Sequence, residues 1–347
     1  MKAFVYPLIS VILLLASSGS SAQLLYKPFG IKVCGPEFGE ANFPGIYGVD
    51  YIYPDSTGLQ YYYDQGFRMI DLPFRWERVQ PVLMEELDSV EMKRLFTLIE
   101  QCNKIGLQVK LTLQNFGRYT SNNKTWVIGS KQLPSSALED VWKRLANAFK
   151  LYENIYGFQI MNEPHDMFEM SWFKIAQEAI NGIRSVNKVH AIFISGSEYA
   201  NAADWKINNN QLKLLVDSCD NLVYEAHCYF DRDFTGRYLN AKGTTDHAYE
   251  YNIRNTNAGI QIIKPFLKWL KKNKKKGFVG EYGVPDDDPR WLEVLDKFLG
   301  NISKNGVNGA YWAAGPWWGN YRLSVEPRDG KDRPQMQILK KYQLIAQ

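Results

Sequence analysis

An α/β fold, a single (β/α)8 TIM barrel spanning residues 23–347, is predicted by three observations. After residue 30 the chain alternates short apolar runs with amphipathic stretches, the pattern of a parallel sheet joined by crossover helices. No Ser/Pro/Gly-rich linker, composition shift or fixed-period repeat divides the chain, and α/β barrels of this length routinely form one domain. No Gly-x-Gly-x-x-Gly follows a strand, which disfavours an open dinucleotide-binding sheet.

Taken in order, the apolar runs place strands near Ile31 to Cys34, Phe67 to Leu72, Gln108 to Leu113, Tyr156 to Met161 and Ala191 to Ser195. Three more follow near Leu222 to Tyr229, Phe278 to Tyr282 and Gly309 to Ala313. Helical periodicity is clearest at Ser89 to Ile105, Ala137 to Tyr152, Trp172 to Val186, Ala258 to Lys272, Trp291 to Lys304 and Pro334 to Ile345.

The N-terminus carries Lys2, an apolar stretch from Ala3 to Leu15, then small residues through Ala22. That is the pattern of a secretory signal peptide over residues 1–22, cleaved before Gln23, and it implies an exported protein. The apolar stretch falls short of the roughly 20 residues of a membrane span, so no membrane partner is expected. A formal charge of +4, with 22% charged residues dispersed along the chain, argues against nucleic acid. The basic run Lys271 to Lys276 is expected to be a solvated helix end. Cys34, Cys102, Cys219 and Cys228 permit up to two disulfides or four free thiols and show no zinc spacing. Sequons stand at Asn123 and Asn301. A monomer is expected.

In a barrel, polar residues just past the C-terminal ends of the strands converge on one face. The fourth strand ends in Asn162-Glu163-Pro164, and the seventh in Glu281-Tyr-Gly283. Two carboxyls facing one cleft are what glycoside cleavage needs: one protonated, to donate to the leaving oxygen, and one ionised, to attack the anomeric carbon. Glu163 is assigned as acid/base and Glu281 as nucleophile. Asn162 can hold the sugar 2-hydroxyl. His227 and Tyr229 share a strand face by period-two alternation, with Tyr229 placed to donate to the nucleophile and His227 to meet Glu163 or substrate. Aromatic residues make up 14% of the chain, more than a core requires. Trp312 is the expected stacking platform for a sugar ring, Trp317 and Trp318 are further subsite candidates, and Trp76, Tyr119 and Trp126 are weaker ones.

These residues resemble glycoside hydrolase family 5, the cellulase family of clan A. The stretches Glu37-Phe-Gly-Glu, Leu72 to Pro81, Asn115-Phe-Gly-Arg-Tyr119, His227-Cys-Tyr229 and Trp312 to Tyr321 are similar to its endo-β-1,4-glucanase branch. The resemblance implies a β-glucan polysaccharide or oligosaccharide as substrate, net retention and no cofactor, with Asn115 among the supporting residues. Two positions depart from it. The family's arginine before the Leu-Pro of strand two, bonded to the nucleophile, is Asp71 here, and a histidine of strand three is Gln114. An acid in place of that cation is expected to raise the nucleophile's pKa by like-charge repulsion, unless Asp71 is itself protonated or recruits Arg75. The alternatives are therefore a mannanase or xylanase on the same scaffold, or a barrel that binds glucan but is catalytically impaired.

Overall fold

The structure is a computed structural model and describes residues 29–252 and 255–344. The signal-peptide expectation for residues 1–22 lies outside them. Eight parallel strands close a barrel in which each pairs with its sequence neighbours and the last returns to the first. They are β1 (Gly30–Val33), β2 (Met69–Phe74), β3 (Gln108–Leu113), β4 (Ile155–Gln159), β5 (Ala191–Ser195), β6 (Leu222–His227), β7 (Lys276–Glu281) and β8 (Asn308–Ala314). Around them stand α1 (Ser56–Asp64), α2 (Ser89–Ile105), α3 (Ser135–Ala148), α4 (Trp172–Val186), α5 (Trp205–Asn209), α6 (Ala258–Asn273), α7 (Arg290–Lys304) and α8 (Pro334–Leu344).

The helices form where an apolar stripe meets end signals. In α2, Asp88 caps the N-terminus by accepting from the Glu91 amide, and Gly106 ends the helix in the left-handed region at φ 94°. In α7, Trp291, Val294, Leu295, Phe298, Leu299 and Ile302 are buried at three- and four-residue spacing, one stripe against the barrel wall. The lysines closing α6 are largely exposed. Among the described residues no helix is long and apolar enough to cross a membrane.

Several boundaries differ from expectation. Helix α1 has only a weak apolar stripe, burying Leu59 and Tyr62, and α5 is a single short turn. An antiparallel hairpin, Arg118–Ser121 with Lys124–Val127, follows β3, and Asn123 is exposed at its turn. Strand β4 stops at Gln159 and β6 at His227, both two residues early, although single backbone bonds from Asn162 to Leu113 and from Cys228 to Glu281 carry the chain on to the barrel mouth. All four cysteines are free thiols, so the permitted disulfides are not formed.

A barrel interior is usually filled with branched apolar side chains, but this one is divided. Met69, Phe193, Phe278 and Ala310 form a separate apolar plug toward the N-terminal ends of the strands. Two residues further along, on the same inward face by period-two alternation, lie Asp71 and Ser195; Lys32, Lys110, Gln159 and Glu225 join them, all fully buried. The Lys110 ammonium sits 5.3 Å from both the Phe193 and Phe278 rings, capping the plug. Gly280 leaves room for this polar layer: a Cβ there would lie 1.9 Å from Glu225 Oε1.

Candidate active site

Glu281 is the last residue of β7, and its carboxylate points into the mouth with only 6% of the side chain exposed. Glu163 lies in the loop after β4 at φ 44°. A non-glycine residue holds this left-handed conformation only when its surroundings impose it, a feature that collects at active sites. Its side chain is 19% exposed, so solvent and ligand reach it from the cleft. A carboxylate oxygen of each glutamate and a ring nitrogen of His227 all lie within 4.8 Å of one another.

The two carboxyls are tuned apart. Burial alone would raise Glu281, but the His227 imidazolium and the Lys32 ammonium outweigh it, aided by a 2.7 Å bond from Lys32 Nζ to Oε1 and a 2.8 Å bond from the Tyr229 hydroxyl to Oε2. The result is a carboxyl held at about 2. Glu163 moves the other way, pushed up by burial and by the Glu281 charge, and only partly offset by His227. His227 Nδ1 stands 2.6 Å from Glu163 Oε1, and Nε2 faces Glu225 Oε1 at 3.6 Å. Burial disfavours the imidazolium, but Glu281, Glu163 and Glu225 surround it and bring His227 up to about 9. Lys32, Lys110 and His227 thus pair with Asp71, Glu225 and Glu281 in one buried network of ion pairs.

Lys32 was not singled out from the sequence. A signal was present, since it is a lone charge inside the apolar run Gly30-Ile-Lys-Val33, but partners on β2, on β7 and in the loop after β4 cannot be read from one strand. Its place overturns the expectation for Asp71. The Asp71 carboxylate does not confront Glu281: Lys32 stands between them, 3.8 Å from Asp71 Oδ2, while Lys110 Nζ at 2.8 Å and the Thr112 hydroxyl hold Asp71. Arg75 is not recruited. It pairs with Glu40 at 2.7 Å and donates to the Gln114 carbonyl. The pKa of Glu281 is lowered, not raised, because the His227 imidazolium and, from β1, the Lys32 ammonium stand beside it where β2 offers no cation.

Asn162 Oδ1 accepts from Lys32 at 3.2 Å and from Gln159 at 3.3 Å, while its buried Nδ2 has no partner among the described residues and is free to donate to a sugar hydroxyl. The Gln114 side chain lines the cleft with Oε1 likewise unpartnered. Asn115 is a scaffold residue: Oδ1 accepts from the Trp76 amide and Nδ2 donates to Glu77, tying the loop after β3 to the turn after β2.

The cleft runs to both sides of Glu163. One lobe, about 470 Å³, is lined by Glu37, Phe38, Trp312, Trp318 and Tyr321 with both glutamates; the other, about 460 Å³, by Tyr199, Asn201, His227, Phe234 and Arg237. The Trp312 indole donates to the Tyr321 hydroxyl at 3.0 Å, which fixes its ring, and Trp318 stacks on Tyr321 at 4.6 Å. Trp317, 48% exposed, lines neither lobe. Trp76 and Tyr119 are buried and pack edge to face at 5.3 Å, so neither is a platform, and Trp126 is half-buried on the hairpin against the core. These indoles fill the gap between hairpin and barrel, where burial outweighs a surface role.

Glu163, His227 and Glu281 are also the one metal-compatible cluster among the described residues. The Lys32 ammonium at 2.7 Å already supplies the positive charge that an ion would bring to Glu281. Tyr229→Phe should leave the fold intact and lower kcat/KM about tenfold to a hundredfold, the worth of one hydrogen bond to a buried charge, measured on a soluble aryl glycoside.

A closed parallel barrel with two oppositely tuned carboxyls at its C-terminal mouth defines a glycoside hydrolase. The family model for cellulase, glycosyl hydrolase family 5, matches residues 30–317, and the chain belongs to that family. Endo-beta-1,4-glucanase B of Emericella nidulans is 32% identical over 306 residues, covering 87% of each chain. The crystal structure of Pseudomonas stutzeri endoglucanase Cel5A in complex with cellobiose superposes with a TM-score of 0.84 at 39% identity, covering 91% of this chain and 92% of that one. XacCel5A in complex with cellopentaose superposes with a TM-score of 0.82 at 34% identity, covering 91% and 99%.

Proposed function

We propose that this glycoside hydrolase is an exported, monomeric endo-β-1,4-glucanase that retains anomeric configuration, with Glu281 as nucleophile and Glu163 as acid/base. The observation that carries the reading is the pair of carboxylate oxygens within 4.8 Å. Retaining enzymes hold their two carboxyl groups about 5–5.5 Å apart, whereas inverting enzymes leave a gap of about 6.5–9.5 Å for water. The cleft's extension to both sides of Glu163 suits cleavage inside a chain, and the relatives named above support β-1,4-glucan as that chain.

In the first step Glu281 attacks the anomeric carbon while Glu163 gives its proton to the departing glycosidic oxygen, leaving a glycosyl ester on Glu281. Esterification removes the charge that helps to raise Glu163. Glu163, now a carboxylate with a lower pKa, takes a proton from the water that attacks the anomeric carbon, and Glu281 leaves as carboxylate. Lys32 and Tyr229 stabilise it in that departing state.

The direct test is hydrolysis of carboxymethylcellulose, with a steep fall in viscosity for few reducing ends released. Release from mannan or xylan instead would overturn the substrate assignment. The pH profile of kcat/KM checks the tuning. Protonating Glu281 stops attack and stripping Glu163 stops donation, so the acid limb should lie below the ordinary glutamate value of about 4.3 and the alkaline limb above it. Trp312→Ala should raise KM for cello-oligosaccharides about fivefold or more through the lost stacking face, with a smaller change in kcat.

A further inference from the structure

We propose that Lys32 is the positioning cation of the nucleophile, and that Asp71 and Lys110 form the buried mount that aims it. This rests on the assignment of Glu281 above. Three separate observations carry it.

The first is placement. Lys32 is fully buried on β1, and its ammonium reaches Glu281 Oε1 at 2.7 Å, Asn162 Oδ1 at 3.2 Å and Asp71 Oδ2 at 3.8 Å. Three acceptors on three other strands or strand ends triangulate one ammonium. With Tyr229 holding Oε2 at 2.8 Å, each oxygen of the nucleophile has one fixed donor, which sets the carboxylate plane for attack.

The second is the mount. A lysine side chain is long and rotamer-rich, and a single bond to Glu281 would leave it free to swing. Asp71 confines it, and Asp71 is itself held by Lys110 at 2.8 Å and by Thr112. Lys110 is in turn anchored by Gln159 and lies 3.0 Å from Glu225 Oε2. The chain Glu281, Lys32, Asp71, Lys110, Glu225, His227, Glu163 alternates in charge around the interior and joins the two catalytic carboxyls by a path below the cleft.

The third is compensation. The same site that lacks a cation on β2 has one on the neighbouring strand, and β1 and β2 pair Lys32 directly with Asp71. Lys32 thus brings from β1 the positive charge that Asp71 does not bring from β2. Asp71 is then not a defect to be repaired. Restoring arginine at position 71 alone would place a third cation between two buried lysines.

The experiment uses the full chain with a 2-deoxy-2-fluoro cellobioside bearing a dinitrophenolate leaving group, together with kcat and KM on an aryl cellobioside from pH 3 to 9. Accumulation of a glycosyl adduct on Glu281 in the wild type tests the nucleophile assignment by itself. For the proposal, Lys32→Met is expected to fold, to lose about 10²-fold in kcat with KM little changed, and to move the acid limb of kcat/KM up by about one pH unit or more. Asp71→Asn should show a smaller loss in the same direction, and Asp71→Arg a severe one. The double variant Lys32→Asn with Asp71→Arg, which returns the cation to β2, should recover at least about tenfold over Asp71→Arg. Wild-type labelling at Glu281 with an unchanged rate and acid limb in Lys32→Met overturns the proposal and leaves the nucleophile intact. Should Lys32→Met fail to fold, the double variant decides, and no gain over Asp71→Arg overturns the proposal equally. Absence of an adduct on wild-type Glu281 rejects the nucleophile assignment instead.

Discussion

Glu281→Ala is expected to lower kcat on β-glucan by at least about four orders of magnitude, since it removes the group proposed to form the covalent intermediate. The variant should keep its fold: Lys32 loses one partner but retains Asp71 and Asn162, and the space left opens to the cleft. External azide should enter that space and attack the anomeric carbon of an activated β-glycoside from the face that Glu281 occupied, giving the α-glycosyl azide. Residual glucanase activity near wild type, or no azide product, would mean that another carboxylate is the nucleophile.

Glu163→Ala is expected to separate the two chemical steps. On cellulose derivatives, whose leaving oxygen needs a proton, the rate should fall by about 10²–10⁴-fold, the usual worth of a positioned general acid. On a dinitrophenyl cellobioside, whose leaving group departs without a proton, glycosylation should persist and deglycosylation should limit turnover. Azide then replaces the water that Glu163 would have activated, and the product is the β-glycosyl azide. Opposite azide stereochemistry in the two variants assigns both roles. The alkaline limb of the pH profile should disappear with Glu163, because the proton lost at raised pH is the one it carries.

Both glutamates were legible in the sequence because strand-end position in a barrel is a one-dimensional property. An apolar run broken by Asn162-Glu163-Pro164, or by Glu281-Tyr282-Gly283, marks the mouth without knowledge of any other strand. His227 and Tyr229 follow from the period of two, and their bonds to Glu163 and Glu281 use that shared face. Trp317 and Trp318 show where the local reading stops. They are adjacent in the chain, yet Trp318 stacks on Tyr321 inside the cleft and Trp317 turns outward at φ 70°. Trp76 and Tyr119 were misplaced because the hairpin that buries them carries no strong periodicity of its own.

The sequence by itself determined the barrel, the positions of the two carboxyls and the hydrolytic class, since each is written in runs of neighbouring residues whose period and endings local sterics enforce. Only the tertiary structure decided whether those carboxyls are properly tuned. Asp71 read alone is an acid where a cation belongs; in the closed barrel it is the counter-charge of Lys32, two strands pairing residues 39 positions apart. Ionisation depends on every charge within a few ångströms in a medium that screens poorly, and those neighbours come from β1, β2, β3, β6 and β7, a sum over space that no window along the chain contains.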